Sequence, residues 1–558
     1  MTSQRVGMGV RRSAATARQR GEQHSGVRRQ SEAPTPLSKA RDVRTPRRLP
    51  KPKRCRASLA TALHSACGLL AAAGLAGSPL EPRAAELPRL FPDYIGVTLP
   101  PNIAPLNFSI QERAAAYRVE LRSSKGPPIA IASRDPAIRI PPRAWASLLR
   151  ANPGQPFYWD ISAQAASSGW TRFATVTNHI AREEIDGWLA YRLLKPIFNF
   201  YRHLGIYERN LESFDQEPIL EKDKLDEGCL NCHTPFNRSP NTFAFNLRGY
   251  GGKSPMIMVI SNQAVRVERT MGYLAWHPSG RLLAFSTSQL SLLFHTVGET
   301  CEVYDANSDL GIYNVDSNTV VFPPAIAAPD RHEIWPAWSP DGRYLYFSSA
   351  TPHPIKQFGL VRYDLMRASF DLQTSQWGQP ELMISSEETG LSVCQPKISP
   401  DGRWLLVTLC KNGHFPIYQP NSDLYVMDLA TRKLRRLEIN SAQADTWHSW
   451  SSNSRWVVFS SKRIDGLLAR PHFSYVDEHG EFHKPFVLPQ EDPTFYGFCL
   501  NTFNVPELMQ GPVTVKERDL VRAIVEPRRV LTPQGPARPS SPDSPPGQNP
   551  STYAPVRE

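Results

Sequence analysis

Hydrophobic and polar positions fall into one recurring unit over the C-terminal half of this chain. Four segments carry it: Leu274–Ser286, Pro336–Ser348, Pro396–Thr408 and His448–Ser460. Each reads as an apolar run, a Pro-Asp-Gly-Arg or related tetrapeptide, and a second apolar run ending in Ser or Thr. That is a strand, a tight turn and a second strand. Proline presets φ at the first turn position, and glycine takes the left-handed position that closes the hairpin. The fourth copy keeps the frame but places Ser452 and Ser454 where the others have Pro and Gly. Further strand pairs follow, Cys301–Asp305 with Gly311–Val315 and Asp423–Leu429 with Lys433–Leu437. Four antiparallel strands recurring every 52 to 62 residues predict the blades of a β-propeller over 251–513. Direct counting gives five blades. Six result if Met256–Ile260, Val265–Arg269 and the segment near Phe495–Phe503 close the ring from both chain ends.

Upstream the pattern changes twice. Across 86–180, short alternating runs at Tyr117–Leu121, Pro128–Ala132, Phe157–Ile161 and Trp170–Thr177 predict a small β-sandwich of immunoglobulin or fibronectin III type. From Glu183 to Leu220 the apolar residues Ile185, Trp188, Leu189, Leu193 and Leu194 fall at helical spacing. Pro196 restarts the run and Gly205 stops it. Residues 181–250 are therefore expected to be a short helical segment. Periodicity fades after about Glu517, and the Pro/Ser-rich end makes 514–558 an expected disordered tail. The fold class is thus all-β dominated: a propeller of five to six blades, preceded by a sandwich and a helical segment.

Charge is distributed unevenly. The 558 residues carry a net +12, and the first 56 alone hold sixteen Lys/Arg against three acids, leaving the remainder near −1. The basic pI belongs to this leader and does not argue for nucleic-acid binding. Residues 1–56 read as a basic disordered leader or as an over-long start, with Val43 or Leu49 as alternative initiation points. Residues 57–85 follow Arg54–Arg56 with an apolar run from Ala57 to Gly77, broken by Ser78-Pro79. That order predicts a signal peptide or an uncleaved N-terminal membrane anchor, and a periplasmic or cell-envelope location.

The chemistry concentrates at Cys229-Leu230-Asn231-Cys232-His233. C-x-x-C-H is the attachment motif of c-type haem, in which two thiols add to the vinyl groups of one haem edge and the histidine lies under the iron. A structural zinc site needs a second ligand pair, and the chain has no other C-x-x-C. The expectation is one covalent haem c on Cys229 and Cys232, with His233 as axial ligand. Candidates for the sixth position are His277, His295, His448, Met256, Met258 and Met271. Cys394 and Cys410 lie symmetrically about Gly402, so they form either a cross-strand disulfide or two separate buried thiols. The Trp and Tyr residues recur in every copy, which points to core packing. No nucleophile elbow follows the propeller, which excludes a propeller-linked peptidase within this chain.

The run at Trp338–Ser349 resembles the repeat of TolB-like β-propellers, whose usual blade count is six. From about Phe91 to Val513 the chain resembles bacterial TolB-like proteins that carry a single C-x-x-C-H. The segments that carry the resemblance are Phe91–Phe108, Leu189–Tyr207, Cys229–His233, Trp276–Pro278, His448–Trp456 and Phe503–Glu507. It implies a propeller and a haem, and no settled reaction. The function expected first is electron transfer or redox sensing for an envelope redox partner. A protein-interaction scaffold with structural haem or none is the alternative, and a peroxidase-like haem enzyme the third.

Overall fold

The computed structural model describes residues 86–165, 169–194, 204–225, 228–250, 254–293 and 302–536, and for Cys232 and Ser291–Leu293 the backbone alone. The leader, the apolar run after it, His295, Cys301 and the chain beyond 536 lie outside the described residues. Among the described residues no helix is long and apolar enough to cross a membrane.

Six antiparallel sheets of four strands or more form a ring. Blade 1 takes its innermost strand from Thr502–Met509 and its other three from Trp188–Leu194, Leu204–Asn210 and Gln216–Glu221. Blade 2 runs outward through Cys229–Pro235, Phe243–Arg248, Met256–Ile260 and Gln263–Val267. Blades 3 to 6 begin on the channel side with Gly272–Trp276, His332–Trp338, Ser392–Ile398 and Asp445–Trp450. Each innermost strand touches the next around the whole circle. The chain therefore closes its own propeller: the last inner strand completes the first blade, with Leu189 opposite Leu508 and Leu193 opposite Phe503. The blade count is six.

Two expectations fail here for one physical reason. Trp188–Leu194 and Cys229–Pro235 are strands, not parts of a helical segment, and the propeller begins near residue 188. A blade strand is covered on both faces by neighbouring blades, so its apolar residues do not alternate. Leu189, Ala190 and Tyr191 are all buried in succession, and Leu194 again at the end. That run imitates helical spacing.

The N-terminal region packs a three-stranded sheet (Leu90–Phe91, Phe108–Ile110, Ala137–Ile138) against a six-stranded one that includes Ala116–Arg122 and Pro156–Gln164. Phe108 stacks on Trp159 at 5.0 Å between them. Two layers were expected; the helix at Pro142–Ala151, which buries Trp145, Leu148 and Leu149, was not. The core continues into blade 6 through Trp456, Val458 and Phe473, so no apolar boundary separates the two parts.

The link Glu183–Asp186 explains why the fourth repeat lost its proline. The Ser452 N–H donates to Asp186 Oδ2 (2.8 Å) and its hydroxyl to Oδ1 (2.5 Å). Proline has no N–H to offer there. The Ser454 hydroxyl accepts from the Asp401 N–H of blade 5 (3.0 Å), a contact glycine lacks.

The tail is also a correction. Glu517–Val525 is a helix that buries Leu520 and Ile524 against blades 1 and 2. Val530–Leu531 then adds a parallel strand to the outer edge of blade 2, and Val320 of blade 3 donates its N–H to the Gln534 carbonyl (2.7 Å). The helix is short and half polar, so its periodicity is weak in the sequence.

Candidate functional site in the propeller channel

Every inner strand carries a β-bulge at the same level. The register slips between Asn231 and His233, Gly272 and Ala275, Ile334 and Ala337, Cys394 and Lys397, and Thr446 and Ser449. In blade 1 the slip falls between Ala190 and Arg192, opposite Asn504 and Glu507. A bulge sets two residues against one and turns their side chains out of the ladder. In five blades the first bulge residue is left-handed: Tyr273, Trp335, Gln395, Trp447 and Val505 have φ between 43° and 57°.

Cys232-His233 is the blade 2 copy of this bulge. The turn that follows confirms the alignment: Ser239 N–H donates to Phe236 O, as Gly280 does to His277 O, Gly342 to Ser339 O and Gly402 to Ser399 O. The repeat thus has a further copy that contains the C-x-x-C-H. Its signature residues are replaced, which hid it from the sequence pattern.

The bulges surround one axial cavity, lined by residues of all six inner strands, among them His233, Tyr273, Trp335, Gln395, Lys397, Trp447, His448 and Glu507. The cavity is narrow, with a volume of about 50 Å³. Aromatic side chains narrow the channel, with Tyr273 at 3.9 Å from Trp335 and Trp335 at 5.2 Å from Trp447 between ring centres.

His233 is buried, and neither ring nitrogen makes a hydrogen bond of good geometry. Burial pushes its pKa down to about 4; the Ala190 backbone opposes this weakly, and the Arg192 and Lys397 cations add to it. It is therefore a neutral imidazole with a free lone pair, suited to an axial position on iron. The two cysteine positions are extended rather than helical. Cys229 and Cys232 lie on a paired strand, with Cys229 opposite Arg248. Three strand steps span about 10 Å before the bulge shortens them, against about 5 Å along one helical turn. The histidine could serve as an iron ligand, and the extended backbone spaces the two cysteine positions more widely than a helical turn would.

Of the sixth-ligand candidates, His448 alone among the described residues shares the cavity with His233. Its Nε2 lies 3.1 Å from the Leu406 carbonyl and its Nδ1 3.4 Å from the Thr408 hydroxyl, and burial holds its pKa at about 3. Met256, Met258 and Met271 lie in the apolar cluster between blades 2 and 3. His277 is a spacer between turns, with Nδ1 against Ser279 Oγ (2.8 Å) and Nε2 against Gly342 O (3.1 Å). His295 lies outside the described residues. The Cys394 and Cys410 sulfurs are 4.0 Å apart and not bonded. The blade 5 bulge moves the register, so Cys394 faces Thr408 and Cys410 faces Ser392, and the two are diagonal neighbours.

The fold is thus an all-β, TolB-like propeller of six blades. Over 153 residues the chain is 27% identical to the Tol-Pal system protein TolB of Francisella tularensis, covering 27% of this chain and 29% of that protein's length. No family model matches the chain. Among solved structures, the β-propeller domain of the Trilobed protease from Pyrococcus furiosus is 12% identical (TM-score 0.30, 60% of this chain, 83% of that one). Kuenenia stuttgartiensis hydrazine synthase is 11% identical (TM-score 0.40, 63% of this chain, 48% of that one).

Proposed function

We propose that this chain is an exported TolB-like propeller serving as a protein-interaction scaffold in the bacterial cell envelope. The observation that carries it is the match to a Tol-Pal system protein on a propeller that closes itself. Exposed apolar side chains offer contact points: Leu467, Phe498 and Leu500 stand on neighbouring loops, tied together by Arg470 donating to the Cys499 carbonyl (2.5 Å) and to that of Asn501. The test is cell fractionation with a photo-crosslinking residue at Phe498 and, as control, at Arg343 on an exposed turn. A discrete envelope adduct from position 498, containing a Tol-Pal component, is expected. Cytoplasmic retention, or the same adducts from both positions, would sink the reading.

A second reading is favoured by the unpartnered His233 imidazole beside Cys229 and Cys232. In it the chain bears haem c, which would supply one-electron chemistry, and the scaffold is an electron carrier or redox sensor. Co-expression with a cytochrome c maturation system, followed by a haem-stained denaturing gel, decides it. Covalent haem lost in Cys229→Ala/Cys232→Ala supports this reading; an unstained parent chain overturns it.

A further inference from the structure

The axial cavity holds more hydrogen-bond donors than it can satisfy. Gln395 Oε1 accepts from the Thr446 hydroxyl (2.7 Å), the Trp447 backbone N–H (3.0 Å) and the Thr408 hydroxyl (3.1 Å). The backbone donor fixes which end of the amide is oxygen, and the Nε2 end is left buried without a partner. The Trp447 indole Nε1, on the neighbouring blade, and the His233 ring nitrogens, on the far side of the same cavity, are also buried and unpartnered. Buried polar groups are almost always bonded, so three exceptions lining one narrow cavity point to a missing acceptor.

Charge points the same way. Lys397 and Glu507 line the cavity and offset each other at 3.3 Å. Arg192, close to His233, donates to Asn231 Oδ1 (2.7 Å) and makes no ion pair among the described residues; its Nε is also unpartnered. The surroundings thus carry one cation in excess.

We propose that the propeller channel binds a small carboxylate, with Gln395 Nε2, Trp447 Nε1 and His233 as donors and Lys397 and Arg192 as the compensating charges. Gln395, Trp447 and Lys397 belong to blades 5 and 6, so this site stands apart from the scaffold reading and shares with the haem reading His233 alone. Charged and bidentate acceptors gain most from such donors, and a cavity with aromatic walls and a few polar groups is the usual form of a small-molecule site.

The test is calorimetric titration of the full-length protein with acetate and with succinate. One saturable site per chain is expected. Lys397→Met, at a half-exposed position that leaves the core intact, should weaken it about 10-fold. Gln395→Glu, which keeps the accepting oxygen and turns the donor into an anion, should weaken it about 100-fold or more. Cys229→Ala should leave acetate affinity unchanged, which separates this site from haem attachment. Four results would overturn the proposal: no saturable binding at tens of millimolar, affinities equal to the parent's in both channel variants, displacement of acetate by equimolar chloride, or ordered water alone in crystals grown from acetate.

Discussion

In blade 5 the channel strand passes through Cys394, Gln395, Pro396 and Lys397. In blade 2 the same positions are Asn231, Cys232, His233 and Thr234. Both strands bulge at the same level and face the same cavity. The Gln395 oxygen is held by three hydrogen bonds from its neighbours, whereas the His233 imidazole is buried with none. Their outer edges differ too. Blade 5 ends at its own fourth strand, while blade 2 is bound by a helix and a parallel strand from the C-terminal end of the described chain. The backbone repeat is a frame, and its chemistry is set blade by blade. Groups left unsatisfied at the channel mark where the chain does something besides fold.

Removing the C-terminal clasp should break this comparison most severely. A chain ending at Gly511 loses Val515, Leu520 and Ile524 from the cluster shared by blades 1 and 2. Three buried side chains at roughly 1.5–3 kcal/mol each amount to about 5 kcal/mol. Hydrogen exchange should rise across Cys229–Val267 and Trp188–Glu221 and change little in Ser392–Arg436. Uniform loss of protection would show that the blades do not open separately.

A smaller effect sharpens the contrast along the ring. The residue two places before the bulge pair is Val393 in blade 5, Asp445 in blade 6 and Glu333 in blade 4. Asp445 is buried but meets Arg463 at 2.9 Å. Glu333 is buried with Oε2 unpartnered, and burial, helped by Asp309, pushes its pKa up to about 8. The folded state therefore keeps a proton that the unfolded chain releases near 4.5. Stability falls as pH rises through that window, and the loss is complete only above 8. Glu333→Gln should leave stability unchanged near pH 4.5 and raise it by on the order of 2 kcal/mol at pH 8.5. Urea unfolding midpoints at the two pH values measure this; equal gains at both would show that the carboxylate is ionised throughout.

These contrasts explain what the sequence made visible. The hairpins around Gly280, Gly342 and Gly402 are legible because proline and glycine mark turns chemically. Thr502–Met509 closes the ring out of sequence order and has no such mark. Blade 1 is hidden because burial on both faces erases alternation. The site was half legible: C-x-x-C-H drew attention to His233, and His448 was a candidate. Gln395 and Trp447 were missed because their roles arise from bulges, and a bulge leaves no composition signal. Cys394 and Cys410 are diagonal rather than opposed because the hairpin is centred between Asp401 and Gly402 and the bulge shifts the register one step further.

The smallest expected effect tests the comparison most directly. His448→Leu removes a ring that bonds the Leu406 carbonyl and approaches the Thr408 hydroxyl. Leaving such groups unpaired should cost about 1–3 kcal/mol. His233→Leu removes a ring that bonds nothing well, and an apolar side chain of similar size there should change stability by less than about 1 kcal/mol at pH 7. Below that pH both variants should gain on the parent. Each native histidine has its pKa held below 6.5, so each contributes stability at neutral pH that is lost as the unfolded chain takes up its proton. For His233 that loss runs from about 6.5 down to about 4, and His233→Leu should flatten the acid limb over this range. Urea titrations of both variants at pH 7 and 5 provide the measurement. A loss above about 2 kcal/mol for His233→Leu at pH 7 would mean its nitrogens hold a partner in solution, and would move the search from the frame of the propeller to the ligand at its axis.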